Sequence, residues 1–201
     1  MTDQGNKSNK LTIIFLLLAC GFPLILSWFL LNMTGFVNQD NTVNRGTLVQ
    51  PLVPLEDMRL VGMSLQGEKV ELPLYGKWNL VYYHNGVCLE QCLAKLDSIS
   101  RIKHATGKFS HRVQTVYFSS ETISDDVFSK ISLIPLIKTA VYGADNFARD
   151  FNISTSGVNA QEDWLYIIDP LGNLMMYYQK DTDPYDIIKD LKRLLKTSRI
   201  G

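Results

Sequence analysis

The stretch G-K-W-N-L-V-Y-Y-H-N-G-V-C-L-E-Q-C, residues 76–92, decides the fold of this chain. Its first half, residues 78–83, is dense in aromatic and branched side chains, which is typical of a buried central strand. Its second half ends in two cysteines at a spacing of four, and from there apolar residues recur every three or four positions. That period predicts an amphipathic helix over residues 88–104, so a strand leads into a helix that begins with a cysteine pair.

The regions on either side of this stretch continue the alternation of strands and helices. The sequence predicts a hairpin over residues 58–72, an apolar strand over 113–118, helical or mixed structure over 126–131 and a short helix over 144–151. Two strands around the turn D-P-L-G-N follow within residues 165–178, and a helix over residues 184–196 closes the chain. A hairpin, a β-α-β unit and a β-β-α end predict an α/β thioredoxin-like domain, in which helices flank a central mixed sheet.

An uncharged apolar run precedes this domain. Its 23 residues, 11–33, span about 34 Å as a helix, which is enough to cross the hydrocarbon core of a bilayer. Lys7 and Lys10 precede the run and the first cation after it is Arg45, so the positive-inside rule places the N-terminus in the cytoplasm. In a bacterium, residues 1–10 would be a cytoplasmic tail and residues 11–33 a helix in the inner membrane. A linker, residues 34–51, would then lead to a periplasmic domain, residues 52–201.

A cleaved signal peptide and a lipoprotein signal are the alternatives to an uncleaved anchor. A cleaved signal peptide would end in a small-x-small motif, which the run lacks. The segment L-L-A-C, residues 17–20, resembles a lipoprotein signal, but thirteen more uncharged and mostly apolar residues follow Cys20. We therefore expect Cys20 to be a small residue of a membrane helix, with lipidation as the alternative.

Charge and motifs argue against several function classes. Twenty basic and twenty acidic residues give a net charge of zero, so we expect no nucleic-acid partner. The sequence contains no hydrolase elbow, phosphate-binding loop or zinc-spaced cluster. The acid pairs Asp125–Asp126 and Glu162–Asp163 are adjacent residues in predicted loops, and we expect both pairs to be solvated.

The chemistry of the chain is expected at Cys88 and Cys92. A spacing of four places both sulfurs on one face of the predicted helix, and the helix N-terminus favours their thiolates. Two such thiolates form a redox-active disulfide or bind a soft metal such as Cu(I), and an oxidising compartment allows both. A fixed structural disulfide, or two buried small residues, is the alternative.

His84 is the histidine nearest to this cysteine pair in the sequence. At the end of the predicted strand, it is a candidate for a copper ligand or for a group that lowers a thiol pKa. The alternative is a polar residue at a strand end. His104 and His111 fall at a helix end and in a loop, where we expect them to be solvated.

Three segments carry a resemblance to known proteins. The residues G-K-W-N-L-V-Y-Y, 76–83, followed by Cys88 and Cys92, and the residues L-Y-I-I-D-P-L-G, 165–172, resemble the Sco (SenC) copper chaperones of cytochrome c oxidase assembly. The ending D-L-K-R-L-L-K-T-S-R-I-G, residues 190–201, resembles that of transmembrane proteins found with cytochrome c oxidase genes in proteobacteria. The resemblance implies a diverged Sco/SenC-like membrane protein that handles copper, with oxidase subunits or assembly factors as partners.

The sequence departs from that family at the third copper ligand. The family places a histidine nine residues before the turn proline, where this chain has Gln161. Thioredoxin-type oxidoreductases instead use C-x-x-C and a cis-proline, and residues 162–165 contain no proline. Three hypotheses therefore remain: an assembly factor that handles copper or thiol partners, a periplasmic thiol–disulfide oxidoreductase, and a non-catalytic tethered module with a structural disulfide. Only the second of them is an enzyme.

Overall fold

The computed structural model describes residues 4–33, 44–55, 59–63, 69–151 and 161–201. The chain divides into two compact units, Met1–Val43 and Asn44–Gly201. The first unit contains helix α1, Gln4–Met33, which includes Pro23. Within α1, the segment Thr12–Phe29 is long and apolar enough to cross a membrane. The predicted apolar helix is therefore present, while its orientation across a membrane stays a prediction.

The second unit is built on a sheet of eight strands among the described residues. The strands are β1 (Thr47–Pro54), β2 (Arg59–Met63), β3 (Lys69–Pro73), β4 (Trp78–His84), β5 (Val113–Ser119), β6 (Ile137–Val141), β7 (Leu165–Ile168) and β8 (Asn173–Tyr178). The helices are α2 (Glu90–Ala105), α3 (Asp125–Ser132), α4 (Ala144–Asp150) and α5 (Pro184–Thr197), with a 3-10 helix at Gly107–Arg112.

The sheet has the strand order β1-β8-β7-β4-β5-β6-β2-β3. Strands β4, β5 and β6 are parallel, whereas β7 is antiparallel to β4 and β8 is antiparallel to β7. In the register, Val81 of β4 lies between Val116 and Tyr166. Strand β4 is therefore the central strand that its aromatic and branched residues predict.

Helices cover both faces of this sheet. On one face, residues of α2 and α5 such as Ile99 and Leu191 pack with Leu80 in one apolar cluster. On the other face, Phe147 of α4 stacks on Tyr83 with ring centroids 3.8 Å apart. Strands β4 and β5 are buried from both sides, which is why their sequences are rich in aromatic and branched residues and show no alternation of buried and exposed positions.

The structure adds two strand segments that the sequence pattern does not predict. Strand β6 pairs in parallel with β5. Strand β1 begins at Thr47, inside the range assigned to the linker, and pairs with β8. The start of this unit is also held by Asp190 of α5, which is 2% exposed. Its carboxylate accepts hydrogen bonds from the backbone amides of Arg45 at 2.7 Å and Gly46 at 2.9 Å.

Candidate functional site

The two cysteines lie where β4 passes into α2. They form a disulfide with their Cα atoms 5.2 Å apart, and each is 4% exposed. The helix begins at Glu90, because Leu89 has extended backbone angles, φ −91° and ψ −171°. The expectation that both cysteines lie on one helix face is therefore wrong for Cys88, which precedes the helix, and correct for Cys92 in the first turn.

Cys92 faces a cleft of about 230 Å³ at this end of the sheet. The residues that line the cleft are mostly polar: Tyr82, His84, Gln91, Cys92, Lys95, Asp163, Lys180 and Asp181. The hydroxyl of Tyr117 lies 3.7 Å from Cys92 Sγ. A disulfide sulfur carries no proton, so the hydroxyl is the donor in this contact. The disulfide is thus buried on its core side and borders a polar cleft on the other.

Asp163 is the centre of the hydrogen-bond network in this cleft. Its Oδ1 accepts from the Tyr82 hydroxyl and pairs with His84 Nδ1, both at 2.7 Å. Its Oδ2 accepts from Lys180 Nζ at 2.7 Å. Its backbone, with φ 61°, is held by a hydrogen bond from its amide to the carbonyl of Tyr83. The expectation that the pair Glu162–Asp163 is merely solvated is wrong for Asp163, whose side chain is 16% exposed.

The network shifts the ionisation of several groups. Burial raises the pKa of Asp163, but hydrogen bonds from Lys180, Tyr82 and His84 outweigh it and lower this pKa to about 2. Burial raises the pKa of Tyr82, and the hydrogen bond to Asp163 raises it further. Burial also raises the pKa of Tyr117 to about 12. Both tyrosines are therefore neutral donors at physiological pH, and Asp163 is a carboxylate.

His84 lies beside this network and is oriented toward Asp163. Its Nδ1 is 2.7 Å from Asp163, and its Nε2 is 3.4 Å from the carbonyl oxygen of Val87. Gln161, at the position of the family's missing histidine, bonds through its backbone amide and carbonyl to the hydroxyl of Tyr166. Over the described parts of the chain, no three side chains of His, Cys, Asp or Glu form a group that could hold a metal ion.

The other predicted positions have simple environments. His104 and His111 are exposed, as expected. Cys20 is an exposed free cysteine of α1, in the other unit. Sequence reasoning missed Tyr117 and Lys180 as neighbours of the cysteines. Residue 163 lies two positions before β7, the antiparallel partner of the strand that ends at His84, but this pairing has no local sign in the sequence.

Comparisons with known proteins agree with this architecture. Residues 78–198 match the family model described as transmembrane-like, thioredoxin-like, C-terminal domain. No curated protein matches the chain. Solved Sco-type structures share the fold, so the predicted thioredoxin-like fold and the resemblance to the Sco/SenC architecture are confirmed.

Three of these structures show the extent of the likeness. A SCO1/SenC family lipoprotein from Bacillus anthracis str. Ames is 17% identical with a TM-score of 0.53, over 73% of this chain and 98% of that chain. Arabidopsis thaliana ScoI with copper bound is 15% identical with a TM-score of 0.51, over 78% and 100%. BsSco, a Sco-family cytochrome c oxidase assembly protein with a disulfide switch, is 16% identical with a TM-score of 0.52, over 74% and 96%. Identities this low show the fold alone.

Proposed function

The chain belongs to the family of transmembrane-like, thioredoxin-like C-terminal domains, and from this premise we propose that it is a membrane-anchored accessory factor in cytochrome c oxidase assembly that exchanges disulfides with thiol partners through Cys88 and Cys92. The observation that carries the proposal is the Cys88–Cys92 disulfide beside a polar cleft. The assembly context rests on the fold likeness to BsSco, a cytochrome c oxidase assembly protein with a disulfide switch. In this proposal α1 is an uncleaved anchor in a bacterial inner membrane, and the domain is periplasmic.

The exchange proceeds through a mixed disulfide. A thiolate of the partner attacks one sulfur of the Cys88–Cys92 bond, which breaks and leaves the other sulfur as a thiolate. A second partner thiolate then attacks the mixed disulfide and releases the first cysteine. The partner's two thiols lose two electrons and two protons, which Cys88 and Cys92 gain as two thiols. In reverse, the reduced protein reduces a partner disulfide.

The surroundings of the two sulfurs favour one direction of attack. Cys92 lies in the first turn of α2 and accepts a hydrogen bond from the Tyr117 hydroxyl. Both features stabilise a thiolate, so Cys92 is the better leaving sulfur. Cys88 lies between Val87, 60% exposed, and Leu89, 69% exposed. We therefore assign Cys88, itself 4% exposed, as the attacked sulfur. The partner would reach it from the side of the two apolar neighbours and not from the cleft, which Cys92 lines.

Copper fits the donor set of this chain less well than thiol exchange does. The two sulfurs are bonded to each other, and His84 turns its Nδ1 to Asp163. Reduction frees two thiols, and a third ligand would have to be Nε2 of His84, which lies 3.4 Å from the carbonyl oxygen of Val87. No step of the proposed exchange involves copper, and copper handling by Cys88, Cys92 and His84 is the competing function.

An anaerobic Cu(I) titration separates the two functions. The reduced full chain in detergent is compared with the variants Cys88→Ser and Cys20→Ser, which each remove one thiol. Thiol exchange predicts no tight stoichiometric site that depends on Cys88. Copper handling predicts one tight Cu(I) per chain that Cys88→Ser abolishes and Cys20→Ser retains.

Thiol exchange itself is tested with a small dithiol. The oxidised full chain is incubated with dithiothreitol without denaturant, alkylated and weighed. We expect two more alkylated thiols in the folded chain. With oxidised glutathione in place of dithiothreitol, Cys88 of the Cys92→Ser variant should attack the glutathione disulfide, form a mixed disulfide and release one glutathione thiol. Reduction that occurs only on unfolding would assign a static disulfide instead.

A further inference from the structure

The end of the sheet opposite the disulfide is a second surface of the domain. Strand β4 runs toward the disulfide, so residues that precede β4 lie at the other end, and so do residues that precede the parallel strand β6. The turn between β7 and β8 lies there as well, because β7 is antiparallel to β4 and Ile168 pairs with Asn79. We call this surface the distal end, and define it by Tyr75, Lys77, Lys103, Leu133, Leu136, Lys138 and Leu171.

Large apolar side chains are exposed at the distal end. Leu133 is 82% exposed and Leu136 is 50% exposed, and Pro135, which precedes Leu136, is also exposed. Tyr75 and Leu171, each more than half exposed, lie close together, because the amide of Gly76 donates to the carbonyl of Pro170 at 3.0 Å. Exposed apolar residues grouped in this way mark contact surfaces.

The loop that carries Leu133 and Leu136 is fixed by hydrogen bonds from buried side chains. The buried hydroxyl of Ser100 donates to the carbonyl of Pro135 at 2.9 Å, and that of Thr115 donates to the carbonyl of Leu136. Leu136 has φ 69°, a conformation that a bulky residue rarely adopts. Such a conformation persists only where the surroundings impose it, and it is common at ligand contacts. The leucines are therefore presented to solvent on a fixed loop.

Lysines from three elements lie beside these apolar residues. Lys77 precedes β4, Lys103 is in the last turn of α2, and Lys138 is in β6. The three charges are close enough to act on one another: burial lowers the pKa of Lys103, and the charges of Lys77 and Lys138 lower it further. Lys77 and Lys138 are exposed, and Lys103 is half-buried. The distal end thus combines exposed apolar side chains with three lysines, against one acid, Asp169, in the turn between β7 and β8.

We propose that the distal end docks on a membrane surface that contains anionic lipids. Exposed apolar side chains beside lysines combine the two attractions that hold proteins at such surfaces: burial of apolar groups at the headgroup boundary and attraction to acidic headgroups. The segment Thr12–Phe29 is apolar enough to span a bilayer, so the tether keeps lipid at high effective concentration. The docking goes beyond the proposed function and does not depend on the disulfide.

The test uses the full chain in liposomes, with a protease site inserted within residues 34–43. After cleavage, sedimentation measures how much of the released, already folded domain stays with the lipid. We expect retention on liposomes of phosphatidylcholine with phosphatidylglycerol, release from them at high salt, and release from liposomes of phosphatidylcholine alone. Each lysine strengthens such binding about fivefold, so the triple variant Lys77→Gln, Lys103→Gln, Lys138→Gln should weaken it on the order of 100-fold.

A second variant tests the apolar contribution, and a matched variant controls for surface hydrophobicity. The double variant Leu133→Ser, Leu136→Asn should also lower retention, and asparagine tolerates the positive φ at position 136. The control Val87→Ser, Leu89→Ser removes two apolar side chains that are also more than half exposed, at the disulfide end, and should retain binding. The proposal would be overturned if the domain were released equally from both lipid mixtures, or if wild type and both distal variants were retained equally. Either result would point to a protein partner at this end. Near-ultraviolet circular dichroism confirms that each variant is folded.

Discussion

The substitution Asp163→Asn removes the charge at the centre of the cleft network. The side chain accepts hydrogen bonds from Tyr82 and His84 on one oxygen and from Lys180 on the other, each at 2.7 Å. Asparagine retains one acceptor oxygen and replaces the other with an NH₂ donor. That donor cannot accept from the ammonium of Lys180, so the variant loses this contact and the charge that strengthens the other two.

The size of the effect follows from the lowered pKa of Asp163. A shift from 3.8 to about 2 corresponds to about 2.5 kcal/mol at 1.36 kcal/mol per pH unit. Lys180 is 58% exposed, so solvent screening reduces the contribution of that pair. We therefore expect Asp163→Asn to lower the free energy of unfolding by about 1 to 2 kcal/mol at pH 7.

The same lowered pKa fixes the pH dependence. The folded-state pKa of Asp163 lies below its unfolded-state value, so the carboxylate stabilises the fold fully at a pH above the unfolded value. This stabilisation is lost as the pH falls from about 4 through about 2. The difference between wild type and Asp163→Asn should therefore be constant from pH 7 to about pH 5 and close below about pH 4.

Guanidinium unfolding of the full chain in detergent, followed by near-ultraviolet circular dichroism, measures this difference. Asp181→Asn is the matched control, because Asp181 lines the same cleft but is exposed. It should change the free energy of unfolding by less than about 0.5 kcal/mol. The reasoning is refuted if Asp163→Asn is as stable as wild type at pH 7, or if its deficit is the same at pH 3 as at pH 7.

Three further substitutions test other parts of the account. Asp190→Ala leaves two backbone amides and one phenol without their acceptor, and should cost about 3 kcal/mol in chemical unfolding and speed amide exchange at the start of the domain. Arg112→Lys loses donors to four backbone carbonyls at the end of α5, and should cost about 1 to 2 kcal/mol, whereas the exposed control Arg101→Lys should cost almost nothing. Tyr117→Phe removes the donor to Cys92 and should make the reduction potential more negative by about 20 mV in glutathione equilibration. An unchanged or less negative potential would show that the hydroxyl does not stabilise the thiolate.

Local sequence signals were sufficient for the elements nearest to the cysteines. The aromatic and branched run at residues 78–83 predicted β4, and the apolar period after it predicted α2 to within two residues at its start. Both predictions succeed because a strand that is buried on both faces and a helix that is buried along one stripe each leave a regular pattern in the sequence. The turn D-P-L-G-N and the proline at the start of α5 were equally informative.

Elements and contacts that depend on distant partners were not predictable in the same way. Strand β6 has only five residues, and its parallel pairing with β5 is what makes it a strand. Strand β1 depends on β8 and on Asp190 of α5. Asp163 is at the site because β7 pairs with β4, and a pair of adjacent acids carries no local sign of that pairing.

The start of α2 shows the same limit on a smaller scale. A spacing of four is equally compatible with two helical cysteines and with one cysteine just before the helix. Leu89 offers no side-chain cap from which the boundary could be read. The extended backbone at Leu89 thus changes the environment of Cys88 without any signature in the sequence.

The reduction potential of the Cys88–Cys92 disulfide tests the central claim most directly. The full chain carrying Cys20→Ser is equilibrated in detergent with glutathione or dithiothreitol buffers, and the two remaining thiols are counted by alkylation and mass. Thiol exchange predicts a potential between about −120 and −270 mV, the range of proteins that exchange disulfides. A potential below about −300 mV, as structural disulfides have, would contradict the account.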